Sequence, residues 1–178
     1  MISMEAQDRY SRVARWLHWV IALCIIAGIA LGLLHDPLED VFPAAMSIHK
    51  SLGLTVLVLV LIRLGWRLGH TPPPLPQEMP GWEKSLAKIT HALFYVLMLV
   101  MPLSGWIFTS AGKNPLNWFG LFDVPKFAVS KEDAITGITH EGHELLGFFL
   151  AGLVVLHIAA ALRHHFLLKD NVLNRMLT

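Results

Sequence analysis

Four long apolar runs dominate the sequence. Each is close to the ~20 apolar residues that a helix needs to cross the hydrocarbon core of a bilayer. Four such runs in 178 residues would leave a soluble protein with too little polar surface. The sequence therefore predicts an all-α fold, an integral membrane four-helix bundle, in one domain over residues 1–178. The expected spans are about residues 15–35, 47–68, 88–110 and 141–166.

The composition agrees with a membrane protein. Only 15% of the residues are charged, against ~25% in soluble domains, and the mean hydropathy is +0.55. The net charge of +1 gives no reason to expect a nucleic-acid partner. The sequence has one cysteine, Cys24, and no CxxCH motif, which excludes covalent c-type haem attachment. The N-terminus shows no cleavable signal pattern, so we expect the first apolar run to remain as an anchor.

The basic residues predict the orientation of the bundle. Ten of the 14 Lys and Arg residues fall in the two termini and the second connection, which lie on one side. The positive-inside rule then places both termini in the cytoplasm. The connection over residues 110–140, on the other side, is the longest. We expect it to pack as a cap over the outer end of the bundle.

Four histidines lie within or at the ends of these runs: His18, His49, His143 and His157. An ionisable side chain inside a membrane span indicates a functional site by default. His143 and His157 are 14 residues apart, which is ~21 Å of helical rise and about 40° short of four whole turns. They therefore share one helix face at two depths. His18 is expected at the inner depth and His49 at the outer depth, so each depth has two histidines.

Two imidazoles at each depth suit two flat macrocycles, because neutral imidazole is a good axial ligand for haem iron. The expected pairs are His18 with His157 and His49 with His143. Any one of these histidines taken alone would more often be an interfacial or hydrogen-bonded residue. Their matched depth and face favour ligation. Zinc is disfavoured because four-coordinate zinc needs converging ligands, and no carboxylate or cysteine completes either pair.

Glycine and arginine recur at the helical spacing of these histidines. Arg63 is 14 residues after His49, so it should lie near the inner macrocycle, where its guanidinium could pair with propionates. Glycines facing the ligands would leave room for a porphyrin edge or a close helix contact. The candidate glycines are Gly32, Gly53, Gly105 and Gly147.

Several stretches, read together, point to one family. They are YSRVARWLHW, SIHKSLGL, ITHALFYVLMLVMPLSGW, KNPLNWFGL, GHELLGFFLAGLVVLHIAAALRHHF and KDNVLNRM, and they cover about residues 10–176. In these stretches the chain resembles the bacterial cytochrome b561 family of small di-haem membrane proteins. The resemblance implies a multi-pass protein of the bacterial inner membrane with two non-covalent haem b groups. It implies that the haem ligands are His18, His49, His143 and His157.

The same resemblance implies an activity. The bacterial relatives act as superoxide oxidases, that is, superoxide:ubiquinone oxidoreductases. They oxidise periplasmic superoxide to O2 and pass the electron through two haems to membrane ubiquinone. Lys50, beside His49, is the candidate for superoxide capture, because positive charge attracts an anion. Solvated loop lysines and several carboxylates, Glu39 among them, share the outer side, so any positive patch must be local.

Four other residues have roles that the sequence predicts. His91, at the inner start of the third span, is a candidate for binding quinone or a haem propionate, or else a histidine that caps its helix. His164 is seven residues after His157 and faces the same way, so it is a further candidate for the inner propionates. Trp106 and Trp118 are expected to be aromatic anchors at the outer membrane boundary.

Three functions are compatible with the sequence. The first is the superoxide:ubiquinone oxidoreductase. The second is a quinone-linked electron-transfer cytochrome b subunit that serves a partner dehydrogenase or hydrogenase. The third is a haem-free bundle for structure or transport, which would need another use for two aligned pairs of intramembrane imidazoles. The sequence does not predict an oligomeric state.

Overall fold

The computed structural model describes residues 9–38 and 40–177. The described chain is mainly helical, and four of its helices are long and apolar enough to cross a membrane. This confirms the predicted class, an all-α membrane bundle. The elements are α1 (Arg12–Leu33), α2 (His35–Leu38), α3 (Ala45–Gly69), α4 (Gly81–Ser110), β1 (Leu116–Trp118), β2 (Phe122–Val124), α5 (Ala134–Arg163), a π-helical turn (His164–Leu168) and α6 (Asn174–Leu177).

Two of the long helices begin before their apolar runs. α4 begins at Gly81 and α5 at Ala134, whereas the expected spans begin near residues 88 and 141. Pro80, with φ −56° and ψ 147°, sets the start of α4, because proline disfavours helical backbone at the residue before it. Hydropathy detects only the apolar part of a helix. The polar first turns of α4 and α5 are therefore invisible to it.

The long helices pack in chain order. α1 packs against α3, α3 against α4, and α4 against α5, whereas α1 and α5 do not pack closely along their lengths in the described chain. One core cluster joins Ile21 of α1, Val60 of α3 and Met98 of α4, and a second joins Leu97 of α4 to Leu150 of α5. Most other large apolar side chains of the four helices face outward, as a lipid environment permits.

The two ends of the bundle differ in what they carry. Tyr10 N donates a hydrogen bond to Arg175 O over 3.4 Å, so both described ends of the chain meet at one end, which we call the terminal face. The side chain of Arg175 also donates to Pro74 O over 2.6 Å, which ties the second connection to this face. The opposite end carries β1 and β2, and we call it the hairpin face.

The β-hairpin caps one end of α3, as the sequence predicts for this connection. Ser51 Oγ, fully buried, accepts a hydrogen bond from Phe119 N over 3.0 Å. The indole of Trp118 donates to Thr55 Oγ1 over 3.1 Å, and that of Trp106 donates to Pro125 O over 2.9 Å. Both indoles therefore hold the cap in place, and their expected position at the membrane boundary stays a prediction. Glu39, one of the carboxylates expected on this side, lies outside the described residues.

Candidate functional site

Two pairs of histidines face each other inside the bundle, one pair toward each face. The rings of His49 on α3 and His143 on α5, nearer the hairpin face, have centroids 6.0 Å apart. The rings of His18 on α1 and His157 on α5, nearer the terminal face, have centroids 6.3 Å apart. The structure thus brings together the side chains that the sequence pairs.

The distances between the ring centroids can be compared with the distance expected when two imidazoles bind one metal ion from opposite sides. An imidazole nitrogen binds a first-row metal ion at about 2.0–2.1 Å, and roughly 1.1 Å more separates it from the ring centroid, so two axial imidazoles hold their centroids ~6.3 Å apart. Both pairs match this spacing. The described residues contain no group of three or more His, Cys, Asp and Glu side chains that could hold a metal ion by themselves. Two opposed imidazoles fit the axial positions of a planar macrocycle.

Backbone carbonyls orient the pair near the hairpin face. His49 Nδ1 lies 2.8 Å from Gly28 O on α1, and His143 Nδ1 lies 3.1 Å from Met101 O and 3.0 Å from Ser104 Oγ on α4. A carbonyl can only accept, so Nδ1 carries the proton in each ring. The lone pair is then on Nε2, which is the arrangement that metal-binding histidines use.

Two glycines make room for these rings. A Cβ atom on Gly32 would lie 3.1 Å from Cε1 of His49, and a Cβ atom on Gly105 would lie 3.1 Å from Cε1 of His143. These two glycines therefore face the histidine pair as predicted, and what they accommodate directly is the imidazole ring. A Cβ atom on Gly53 would lie 3.9 Å from Cβ of Pro102, and one on Gly147 would lie 3.7 Å from Cε of Met101. These two glycines are therefore at close contacts with α4.

Near the terminal face there are three imidazoles. The ring of His91 on α4 has its centroid 6.0 Å from that of His157, about as close as His18 is. Within residues 9–38 and 40–177 neither ring of the His18–His157 pair makes a hydrogen bond. Phe94 packs edge-on against His157 at 5.2 Å, and Trp19 against His18 at 5.2 Å. Aromatic packing alone therefore orients this pair.

The other predicted residues have protein partners. Arg63 donates from Nη1 to Ala14 O over 2.5 Å and from Nε to the Tyr95 hydroxyl over 3.2 Å, so it joins three helices. His164 Nδ1 lies 2.5 Å from Asp170 Oδ2, and its Nε2 lies 4.0 Å from Glu83 Oε2. Both side chains have partners within the protein itself. Lys50 lines a cavity of about 430 Å³ at the hairpin face.

Arg15 is a candidate site residue that the sequence pattern alone does not single out. Within the described residues its buried Nε and Nη1 atoms make no hydrogen bond, which is a costly state for a charged group. Arg15 is three residues before His18, so it lies about 60° round α1 from that ligand and one turn nearer the terminal face. In the sequence, the stretch RWLH indicates this proximity, because an arginine three residues before a histidine lies on nearly the same helix face.

Four spanning helices with opposed imidazoles inside them define a membrane electron-transfer protein, and comparison with known proteins gives its family. The family model for prokaryotic cytochrome b561 matches residues 9–178. Cytochrome b561 homolog 2 of Escherichia coli K12 is 32% identical over 174 residues, 96% of this chain and 92% of the relative. The probable superoxide oxidase CybB of Yersinia pestis is 30% identical over 170 residues, 95% of this chain and 96% of the relative.

The chain therefore belongs to the prokaryotic cytochrome b561 family. Membership implies b-type haem as its cofactor and a multi-pass place in the bacterial inner membrane. The opposed imidazoles fit that cofactor, because each pair offers two ring nitrogens at the separation that axial haem ligands require.

Replacing Gly105 with Ala should disturb His143, a predicted haem ligand. The new Cβ would press on the imidazole at 3.1 Å, so the ring must move. We expect the purified variant to lose haem, up to one group per chain, with a changed reduced spectrum. Gly152→Ala is the control, because no atom within 4 Å meets a Cβ there. That variant should keep its haem and gain helix stability, by up to ~1 kcal/mol. Equal haem content in both variants would show that Gly105 does not seat the ligand.

Proposed function

We propose that this protein is a superoxide:ubiquinone oxidoreductase. It oxidises superoxide at the hairpin face and passes the electrons to ubiquinone through two haem b groups. The haems are held by His49 with His143 and by His18 with His157. Each superoxide gives up one electron and leaves as O2, and two electrons with two protons convert the quinone to quinol. The haems, when bound, supply the one-electron path across the bilayer.

A lysine-lined cavity at the hairpin face is the observation that carries this proposal. Its described lining includes Lys50, Lys113 and Lys131 and contains no carboxylate. Positive charge in a cleft raises the local concentration of an anion and its encounter rate. Superoxide is a small anion, and this cavity is an entry point of suitable charge.

Two carboxylates of the connection that forms the cap have hydrogen-bond partners within it. Asp123 accepts a hydrogen bond from the Asn117 amide over 2.9 Å, and Asp133 accepts one from Ser130 N over 2.7 Å. These carboxylates are thus engaged within the cap loop. Lys126 is engaged in the same way, since its ammonium group donates to Gly112 O and Asn114 O.

The cavity is next to the ligands of the nearer haem. Lys50 follows His49 directly in the chain. Phe108 lines the cavity, and its ring centroid lies 5.5 Å from that of His143. His140, also in the lining, packs against Phe108 at 5.0 Å. An anion in this cavity is therefore separated from the predicted haem ligands by single side chains, which favours electron transfer at this end.

Removing two of the cavity lysines should slow the reaction with superoxide. In Lys50→Gln/Lys131→Gln we expect the second-order rate constant of haem reduction to fall about tenfold at low ionic strength, with the difference shrinking as salt is added. Stopped-flow mixing of purified protein with superoxide measures this rate. Lys84→Gln/Lys88→Gln, which removes the same charge from the terminal end of α4, is the matched control and should react like the wild type.

The same experiment separates the alternative function. An electron-transfer subunit that serves a partner dehydrogenase or hydrogenase would show no fast haem reduction by superoxide. Absence of millisecond reduction in the wild type would therefore remove the proposed activity. An equal rate in Lys50→Gln/Lys131→Gln and in the Lys84→Gln/Lys88→Gln control would remove the cavity from it.

His91 is the proposed contact for ubiquinone near the terminal face. It is the third imidazole beside His157, and it makes no hydrogen bond within the described chain. A ring nitrogen there could donate a hydrogen bond to a quinone carbonyl at a site reached from the lipid. Arg63 and His164, the other predicted residues, remain proposed cofactor contacts, although each already has a protein partner.

Replacing His91 with Phe should uncouple the two half-reactions. Phenylalanine keeps a ring against His157 but cannot donate a hydrogen bond. We expect superoxide to reduce the haems at the wild-type rate, whereas reoxidation of the reduced haems by added ubiquinone slows about tenfold, which corresponds to the loss of one hydrogen bond of ~1.4 kcal/mol. Unchanged reoxidation would exclude His91 from the quinone site.

We also propose that Arg15 pairs with a propionate of the haem near the terminal face. Its buried, unpaired nitrogens need an anion, and a carboxylate beside His18 would satisfy them through charge-assisted hydrogen bonds. A fixed positive charge near the haem disfavours the oxidised, more positive iron. Arg15 therefore raises the midpoint potential of that haem.

The variant Arg15→Gln should lower the midpoint potential of one haem by on the order of 50 mV, which is about 1 kcal/mol for one electron. Redox titration followed by absorbance measures both haems in one experiment. Lys88→Gln is the matched control, because Lys88 is exposed and holds the same position, three residues before a histidine, on α4. Equal potentials in the two variants would show that Arg15 does not contact the haem.

A further inference from the structure

A large basic cavity opens at the terminal face, on the side of the bundle formed by α1, α3 and α4. Its volume is about 1000 Å³. It lies where α1 begins and α3 ends, and the proline-rich second connection closes one side. Among the described residues that line it are four arginines and no carboxylate. The arginines are Arg9, Arg12, Arg63 and Arg67.

The charge of these arginines is not balanced within the described chain. The partners of Arg63 are a backbone carbonyl and the Tyr95 hydroxyl, which are neutral. Arg67 lies over the Tyr95 ring at 5.4 Å, and it too reaches only the hydroxyl. No ion pair within residues 9–38 and 40–177 involves any of the four. Four close guanidinium groups without a counter-charge repel one another, so the cavity favours a multiply charged anion.

Neutral donors complete the lining. Tyr10 and Tyr95 offer hydroxyl groups, and Ser11 and His70 also face the cavity. Burial raises the pKa of Tyr10, so its hydroxyl keeps its proton at neutral pH and can donate to an oxygen anion. Guanidinium and hydroxyl donors around one cavity are typical of sites for phosphate oxygens.

The position of the cavity indicates where the phosphate comes from. Arg12 and Arg67 line it, and the residues next to them in the chain, Val13 and Leu68, are exposed apolar side chains. Leu68 is 92% exposed, which in a spanning helix places it against lipid. A headgroup in the cavity would therefore leave its acyl chains beside an apolar surface. Basic pockets between transmembrane helices bind anionic headgroups in this way.

We propose that this cavity binds the phosphate groups of an anionic phospholipid. A headgroup with two phosphates, as in cardiolipin, is the best match for Arg9, Arg12 and Arg67, the lining arginines that are not also proposed as cofactor contacts. The site is separate from the proposed superoxide cavity, which lies at the hairpin face, and it does not depend on that activity. Its ligand is structural, a lipid held between α1, α3 and the second connection.

The test uses the full-length haem-loaded protein in mild detergent. Binding of cardiolipin, phosphatidylglycerol and phosphatidylcholine is measured by native mass spectrometry, for the wild type and for Arg9→Gln/Arg67→Gln. We expect the wild type to bind one cardiolipin in preference to phosphatidylcholine. Each basic residue near an anionic headgroup contributes roughly a factor of five, so the double variant should bind cardiolipin ~25-fold more weakly.

Lys84→Gln/Lys88→Gln is the matched control, because it removes the same charge from the terminal end of α4, outside the cavity lining. Equal cardiolipin affinity in the two double variants would overturn the proposal. Inorganic pyrophosphate tests for a soluble ligand, and displacement of cardiolipin by pyrophosphate at equal concentration would overturn the assignment to lipid. Loss of haem from Arg9→Gln/Arg67→Gln with unchanged cardiolipin affinity would assign the arginines to haem propionates instead, which also contradicts the proposal.

Discussion

Burial of imidazole inside an apolar bundle is the constraint on which the rest of this structure depends. Each ring has two nitrogens, and a polar atom in a medium without water needs a partner. In His49 and His143 the Nδ1 atom is satisfied by helix carbonyls, at 2.8 Å and 3.1 Å. The two rings lie opposite each other, with centroids 6.0 Å apart, and no hydrogen bond to either Nε2 is present within the described residues. The protein thus satisfies Nδ1 of these two imidazoles, and the proposed haem would take Nε2.

Helix packing follows from the same requirement. The rings can reach carbonyls of the neighbouring helix only where that helix has no side chain, at Gly32 and Gly105. Close packing of α1 on α3 and of α4 on α5 is therefore coupled to ligand position. α1 and α5 approach each other less closely along their lengths, but side chains still join them, since Ile25 and Ile29 of α1 pack against the cluster that contains Leu150 of α5.

The sequence predicted the spanning helices and brought the histidine pairs together because both depend on helical periodicity, which is local. It predicted less where tertiary contacts decide. Trp118 looks like a boundary indole in the sequence, but its acceptor is Thr55, 63 residues away. The role of Gly32 also depends on a contact between helices, so spacing showed that it faces the site without showing what it accommodates. His164 has the expected phase, but the π-helical turn after α5 places it beside Asp170.

The central claim is that four histidines hold two haems, one nearer each face of the bundle. The most direct test is the haem content per chain of the purified wild-type protein, measured with its dithionite-reduced minus oxidised visible spectrum. This account predicts two haems per chain with sharp low-spin b-type bands, because both sites have two axial imidazoles. One haem per chain, no haem, or a high-spin spectrum would contradict it.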